Sequence, residues 1–258
     1  LHRYRGYIFD LDGTVYLGPD AIPGAPETIA ELRRGGARCV FLSNKPIESV
    51  ASYEAKLNRL GIAAAPGDVL NSSVVMARYL SRTTPGARVY LIGEAPLAEE
   101  LVGAGCTLTT DPLATDVVVV SWDRQFTYQK LDDALQAILR GARFVATHPD
   151  RTCPVPGGVV ADAGGMIAAV EAVTGRACEI TTGKPSPWTI DIALERLGIA
   201  PEQSIMVGDR LETDMRMGIN AGIDTAVVLT GVTRHGDLET SAVKPTYVLE
   251  SIRGLVEG

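Results

Sequence analysis

The sequence predicts an α/β protein built on a parallel sheet, and three observations carry this. Short apolar runs alternate with amphipathic stretches through most of the chain, a rhythm that implies right-handed strand–helix–strand crossovers. Several of those runs end on acidic or hydroxyl residues, as buried strands do at the ligand-binding carboxyl edge of such a sheet. The composition is globular: of 258 residues 46% are hydrophobic and 21% charged, and the 27 Gly and 15 Pro fall well short of a disordered chain.

The elements follow in order. Tyr7-Ile8-Phe9 is an apolar strand ending on Asp10. A helix is predicted over 25–34, with Ile29 and Leu32 inward and Gly35-Gly36 as its stop. Cys39-Val40-Phe41-Leu42 forms the next strand and delivers Ser43-Asn44 to the same edge; a helix over 48–60 then closes at Gly61. Further strands are predicted at 88–92, 117–121 and 144–147, with helices near 96–102, 127–140 and 165–173. In the second of these helices Tyr128, Leu131, Leu135 and Ile138 form an apolar stripe behind a Thr127 cap. Beyond Lys184 a helix opens at Ser186-Pro187, with proline in its first turn, and closes at Gly198. A strand over 204–207 ends on Gly208-Asp209, and a last helix covers 213–220 before Gly222.

Several function classes are excluded. The longest aliphatic run, Val117 to Val120, is far below the roughly 18 residues of a membrane span, so no membrane partner is expected. The net charge is −7, and no basic run exceeds Arg33-Arg34, which argues against nucleic acid and anionic lipid. Cys39, Cys106, Cys153 and Cys178 form no CxxC pair or zinc spacing, so reduced thiols are expected. The chain opens Leu-His-Arg-Tyr-Arg with no apolar signal-peptide core, and the expected location is cytoplasmic.

The chemistry concentrates at strand ends. Asp10-Leu11-Asp12-Gly13-Thr14 sets two carboxylates just past a buried strand, where their charges repel unless a cation neutralises them. Mg²⁺, a hard cation taking oxygen ligands, would relieve that repulsion and draw a phosphate, with Thr14 as a hydroxyl donor. A plain Asp-Gly turn is the competing reading. Gly208 to Asp214, Gly-Asp-Arg-Leu-Glu-Thr-Asp, repeats the geometry; Asp214 alone is also explained as a helix-start acid. Lys184 in Gly183-Lys184-Pro185 could be an exposed lysine, and Ser43-Asn44 could be ordinary helix-start residues. Together they supply a nucleophilic carboxylate, a proton-transferring carboxylate, a hydroxyl, a fixed cation and metal ligands, the set needed for phosphoryl transfer through an aspartyl-phosphate.

These motifs, in this order, resemble the haloacid dehalogenase superfamily, and most closely its NagD-like or 4-nitrophenylphosphatase branch with a C2-type cap (class IIA). The resemblance extends over nearly the whole chain and includes Asp123-Arg124-x-Phe126-Thr127-Tyr128 and Ala146-Thr147-x-Pro149-Asp150. It implies a Rossmann-like catalytic core over 1–76 and 181–258, interrupted by an inserted α/β cap over 77–180. It also implies the roles. Asp10 would be the nucleophile, Asp12 the general acid and base, and Lys184 the charge-neutralising cation. Ser43, Asn44 and Lys45 would hold the phosphoryl group. Mg²⁺ would take Asp10, Asp12 through its carbonyl, and Asp209, with Asp214 ordering that shell. Asp150, Arg151, Thr152 and Cys153 fall in the segment resembling the substrate-specificity loop.

The chain departs from the branch at three places. Lys45 replaces a small polar amide or tyrosine, and either contacts an anionic substrate or faces solvent. His148 stands where Asn is usual, as a structural residue or a hydrogen-bonding one. Ala161-Asp162-Ala163-Gly164-Gly165 replaces a Pro-Gly-rich turn. Trp122 is either packing or a stacking surface, and Cys153 lacks a base that would make it a nucleophile. The expected function is a Mg²⁺-dependent phosphomonoester phosphatase acting on a small phosphorylated metabolite: a sugar phosphate, phosphoglycolate, a nucleoside monophosphate or pyridoxal phosphate. 4-Nitrophenyl phosphate should also be turned over. A phosphotransferase or mutase with the same intermediate and a non-catalytic phosphate-binding module are the alternatives. Homodimers are common among the proteins it resembles.

Overall fold

Tyr7, Ile8 and Phe9 lie fully buried in the strand Gly6–Asp10, in a six-stranded sheet of the computed structural model, which describes residues 3–155 and 157–257. The sheet order is Tyr247–Leu249, Asp224–Val228, Ser204–Gly208, Gly6–Asp10, Arg38–Ser43 and Val69–Asn71. Gly6–Asp10 pairs in parallel with Ser204–Gly208 on one side and with Arg38–Ser43 on the other, Phe9 meeting Val207 and Phe41. The chain direction of winding reverses at this strand, which opens a crevice at its carboxyl end. Asp10 is the residue that reaches it.

Alternation along these strands makes the core. Tyr7, Phe9 and Phe41 share one face, with ring centroids 5.9 and 5.8 Å apart in stacked pairs, and Ile29 and Leu32 of the helix Ala25–Arg34 join the same cluster. The face periodicity read from the sequence therefore places both helix residues inward.

The fold has two compact units. The first takes the chain up to Ser43, Val50–Leu70 and the chain from Lys184; the second takes Asn44–Ser49 and Asn71–Gly183. Within the second unit a five-stranded parallel sheet runs in the order Ile180–Thr181, Arg143–Ala146, Val117–Val120, Arg88–Ile92 and Thr107–Leu108. All four valines of its central strand are fully buried, as expected of a strand covered on both faces. The helix Tyr128–Leu139 is capped by Thr127, whose hydroxyl accepts from Lys130 N at 3.3 Å. Its buried stripe is Ala134, Ala137 and Ile138, with Leu131 partly buried. Tyr128, expected in that stripe, is exposed and lies outside the cluster.

Several elements differ from the sequence expectation. The helix Ser72–Thr83 lies where the sequence assigns no element; Asn71 caps it by accepting from Val74 N at 3.0 Å. The strands Val69–Asn71, Asp224–Val228 and Tyr247–Leu249 and the antiparallel hairpin Thr152–Val155 with Gly158–Ala161 are likewise additional. The helix expected from 165 begins at Ala163, because the Asp162 carboxylate caps it through Ala163 N. The last predicted helix starts with a π-helical turn, Leu211–Met215, before Arg216–Asn220. The four cysteines are free, and among the described residues no helix is long and apolar enough to cross a membrane.

Candidate active site

Four of the residues singled out in the sequence meet at the carboxyl edge of the first unit's sheet. Asp10 ends its strand, Asp209 follows the strand Ser204–Gly208, and Asp214 sits in the π-helical turn after it. Carboxylate oxygens of the three lie within 4.8 Å of one another. Lys184 Nζ donates to Asp10 Oδ1 and, at 2.7 Å, to Asp214 Oδ1. The Thr14 hydroxyl, expected to serve an anion, donates to Asp10 Oδ2 at 3.4 Å. Asp214 is further held by Arg210 N, which donates to its Oδ2 at 3.2 Å.

The electrostatics follow from this crowding. Burial pushes the Asp10 carboxyl up to about 6, against the pull of the Lys184 ammonium beside it. Burial, with the charges of Asp10 and Asp214 added, pushes Asp209 up to about 8. Burial alone would lower Lys184, but Asp10 and Asp214 hold its ammonium above the ordinary lysine value. Three carboxylates against one ammonium leave a deficit of positive charge. Asp209 Oδ1 is buried and has no hydrogen-bond partner, while Oδ2 accepts from Val232 N at 2.6 Å. An orphaned buried oxygen in an oxygen-only cluster fits a hard divalent cation.

Asp12, two residues beyond the strand, is exposed and is not among the three clustered carboxylates. Gly13 lets the chain turn here at φ 90°, and a Cβ on it would come within 2.6 Å of Asp209 Oδ2. Ser43 follows Leu42, the register partner of Asp10, so it shares the edge; its hydroxyl donates to Tyr53 Oη at 3.3 Å. In the second unit Asn44 Nδ2 donates to Asp150 Oδ2 at 3.0 Å, joining two predicted binding residues 106 positions apart. Lys45 is half-buried. Arg151 and Thr152 are exposed, whereas Cys153 is buried and donates to Pro154 O.

His148 is fully buried in a chain of hydrogen bonds. Ser121 Oγ meets Thr147 Oγ1, Thr147 Oγ1 meets His148 Nδ1, and His148 Nε2 meets Asp162 Oδ1, each at 2.8 Å. That network ties the ends of two strands to a helix cap. Trp122 is buried as well, which makes it packing within its unit. The sequence reading missed the segment 230–233 around Asp209. Thr230 Oγ1 donates to Gly13 O at 2.6 Å, Thr233 N donates to Asp209 O at 3.1 Å, and a Cβ on Gly231 would overlap Asp209 Oδ2. The signal available was a Thr-Gly pair just after the apolar run 226–229, at the end of another strand of the same sheet.

Comparison with known proteins defines the class. Residues 7–107 match the family model described as haloacid dehalogenase-like hydrolase, and residues 181–255 match the HAD-hydrolase-like model. An acid sugar phosphatase of Staphylococcus haemolyticus is 36% identical over 252 residues, covering 98% of this chain and 95% of that protein. The 4-nitrophenylphosphatase of Thermotoga maritima superposes with a TM-score of 0.94 at 35% identity, covering 100% of this chain and 98% of that one. A glycerol phosphate phosphatase of Mycobacterium tuberculosis, solved in complex with magnesium, gives a TM-score of 0.91 at 32% identity, covering 98% of this chain and 76% of that one. The chain belongs to the haloacid dehalogenase-like hydrolases. Within them it falls in the NagD-like, 4-nitrophenylphosphatase branch, and it is a phosphatase.

Proposed function

We propose that the chain is a Mg²⁺-dependent phosphomonoester phosphatase that works through an aspartyl-phosphate on Asp10, with a sugar phosphate as the favoured substrate class. The observation that carries this is the pairing of Lys184 with Asp10 at the end of the central strand, inside a carboxylate cluster short of positive charge. The name of the Staphylococcus relative supports the sugar phosphate, and the magnesium complex of the Mycobacterium protein supports the metal. Asp10, Asp209 and the Asp12 carbonyl would hold Mg²⁺, which supplies charge neutralisation for the phosphoryl oxygens.

The protein residues do the rest. Lys184 keeps Asp10 ionised and aligned, and Asp214 anchors that lysine from its other side. A carboxylate oxygen of Asp10 bonds to phosphorus as the bond from phosphorus to the ester oxygen breaks. Asp12 gives its proton to that leaving oxygen, which is otherwise a poor leaving group. Asp12, now ionised, takes a proton from water as the water oxygen attacks the same phosphorus. The acyl-phosphate bond breaks, releasing inorganic phosphate and restoring Asp10. The exposure of Asp12 beside the buried cluster suits a group that must meet both the ester and water. Ser43, Asn44 and Lys45 would hold the phosphoryl oxygens, and Asp150, Arg151, Thr152 and Cys153 would select the alcohol portion. Free thiols and the acidic balance keep a cytoplasmic location within the proposal.

Phosphate release from 4-nitrophenyl phosphate and a panel of phosphorylated metabolites, with and without Mg²⁺, tests this. Asp10→Asn should lower kcat by about a thousandfold or more. Full activity in that variant, or wild-type turnover that survives EDTA, would sink the mechanism.

A further inference from the structure

The first unit has a second concave site, at the amino edge of its sheet, opposite the acid cluster. A cavity of about 530 Å³ opens beside Arg38 and Cys39, where the strand Arg38–Ser43 begins. Arg33, Arg38 and Arg196 line it, and among the described residues Asp68 is the only acid in the lining. In a chain of net charge −7, three guanidiniums around one carboxylate make a local reversal of sign. Alanines and a proline from 63–66, with Ala37 and Leu197, supply an uncharged wall.

The three arginines are unequally committed. Arg33 pairs with Asp68 Oδ2 at 2.9 Å and also donates to Ala63 O. Arg38 Nη1 donates to Leu197 O at 2.8 Å, which uses one of its five donors. Arg196 has no ion pair or hydrogen bond among the described residues. Its guanidinium rests against Gly67, where a Cβ would come within 2.6 Å of Nη1. Fork-shaped donors of this kind match phosphate oxygens in pairs, and a phosphate offers three oxygens where a carboxylate offers two. The volume is that of a small-metabolite pocket and exceeds the needs of a single ion.

We propose that this cavity binds a small organic phosphate at the amino edge of the sheet, held by Arg38 and Arg196 and lying against the 63–66 wall. Equilibrium dialysis of the whole chain in EDTA against phenylphosphonate, which cannot be hydrolysed, tests it. Wild type should bind one equivalent more than Arg196→Glu, and Arg38→Gln should weaken that equivalent by about tenfold or more. Both side chains are exposed, so the variants should keep the wild-type circular dichroism and the basal turnover of 4-nitrophenyl phosphate. Citrate in a parallel cell separates the sources of oxyanion: it should displace that equivalent weakly, and equal displacement would overturn the assignment to a phosphate. Identical stoichiometry and affinity in wild type and Arg196→Glu would overturn the site itself. Dialysis reads binding without turnover, so this outcome is independent of the aspartyl-phosphate mechanism.

Discussion

Lys184 neutralises two buried carboxylates at once, so its removal is a structural event as well as a catalytic one. Lys184→Met should destabilise the metal-free chain by about 3–5 kcal/mol, because Asp10 and Asp214 are left without a cation. The shift in urea midpoint measures this, and kcat should collapse alongside it. Gly231→Ala should act differently. Its Cβ meets Asp209 Oδ2, so the variant should lose apparent Mg²⁺ affinity in activity titrations more than it loses fold. The legibility of these residues differs for a physical reason. Asp10, Lys184, Asp209 and Asp214 sit beside strand ends or in motifs of fixed spacing, so the sequence announces them. Gly231 acts through a missing side chain, and His148 through an acid on the far side of a hairpin. Neither contact has a local signature.

At the level of elements, hydrophobic period served well where one face is buried and poorly where it is not. The central strands 6–10, 38–43, 117–120 and 204–208 were legible because covered parallel strands are continuously apolar. Asp224–Val228 begins on Asp-Thr and Tyr247–Leu249 is an edge strand, so neither stands out. The helix Ser72–Thr83 hid behind β-branched residues, and its true marker is Asn71. That residue accepts from Val74 N and donates to Glu48 O at 3.0 Å, so it both caps the helix and pins the preceding loop. Asn71→Ala should cost about 1–2 kcal/mol in denaturant unfolding, with Asn71→Asp recovering the cap and only part of the loss.

For the molecule as a whole, the carboxylate cluster links pH, metal and stability. A carboxyl whose folded pKa is raised stabilises the fold fully below its unfolded value, and that contribution is lost as pH rises toward the folded value. For Asp209 the window runs from 3.8 to about 8, and for Asp10 from 3.8 to about 6. The melting temperature of the metal-free chain should therefore fall across this range. Added Mg²⁺ should restore it more at pH 8 than at pH 5, and Asp209→Asn should flatten the slope; calorimetry with and without EDTA checks both. The sheet itself has a further consequence for how the chain comes to exist. Gly6–Asp10 is made before the other strands of its sheet, but one of its two partners, Ser204–Gly208, is made only after the whole of the second unit. The parallel sheet centred on Val117–Val120 has all its strands once Ile180–Thr181 is made, ahead of Ser204–Gly208. Synthesis therefore completes the second unit's sheet before the first unit's. The fully buried strand Gly6–Asp10 is paired on one side only until Ser204–Gly208 is made. Pulse-labelled hydrogen exchange during refolding should protect Val118 and Val119 before Ile8 and Phe9.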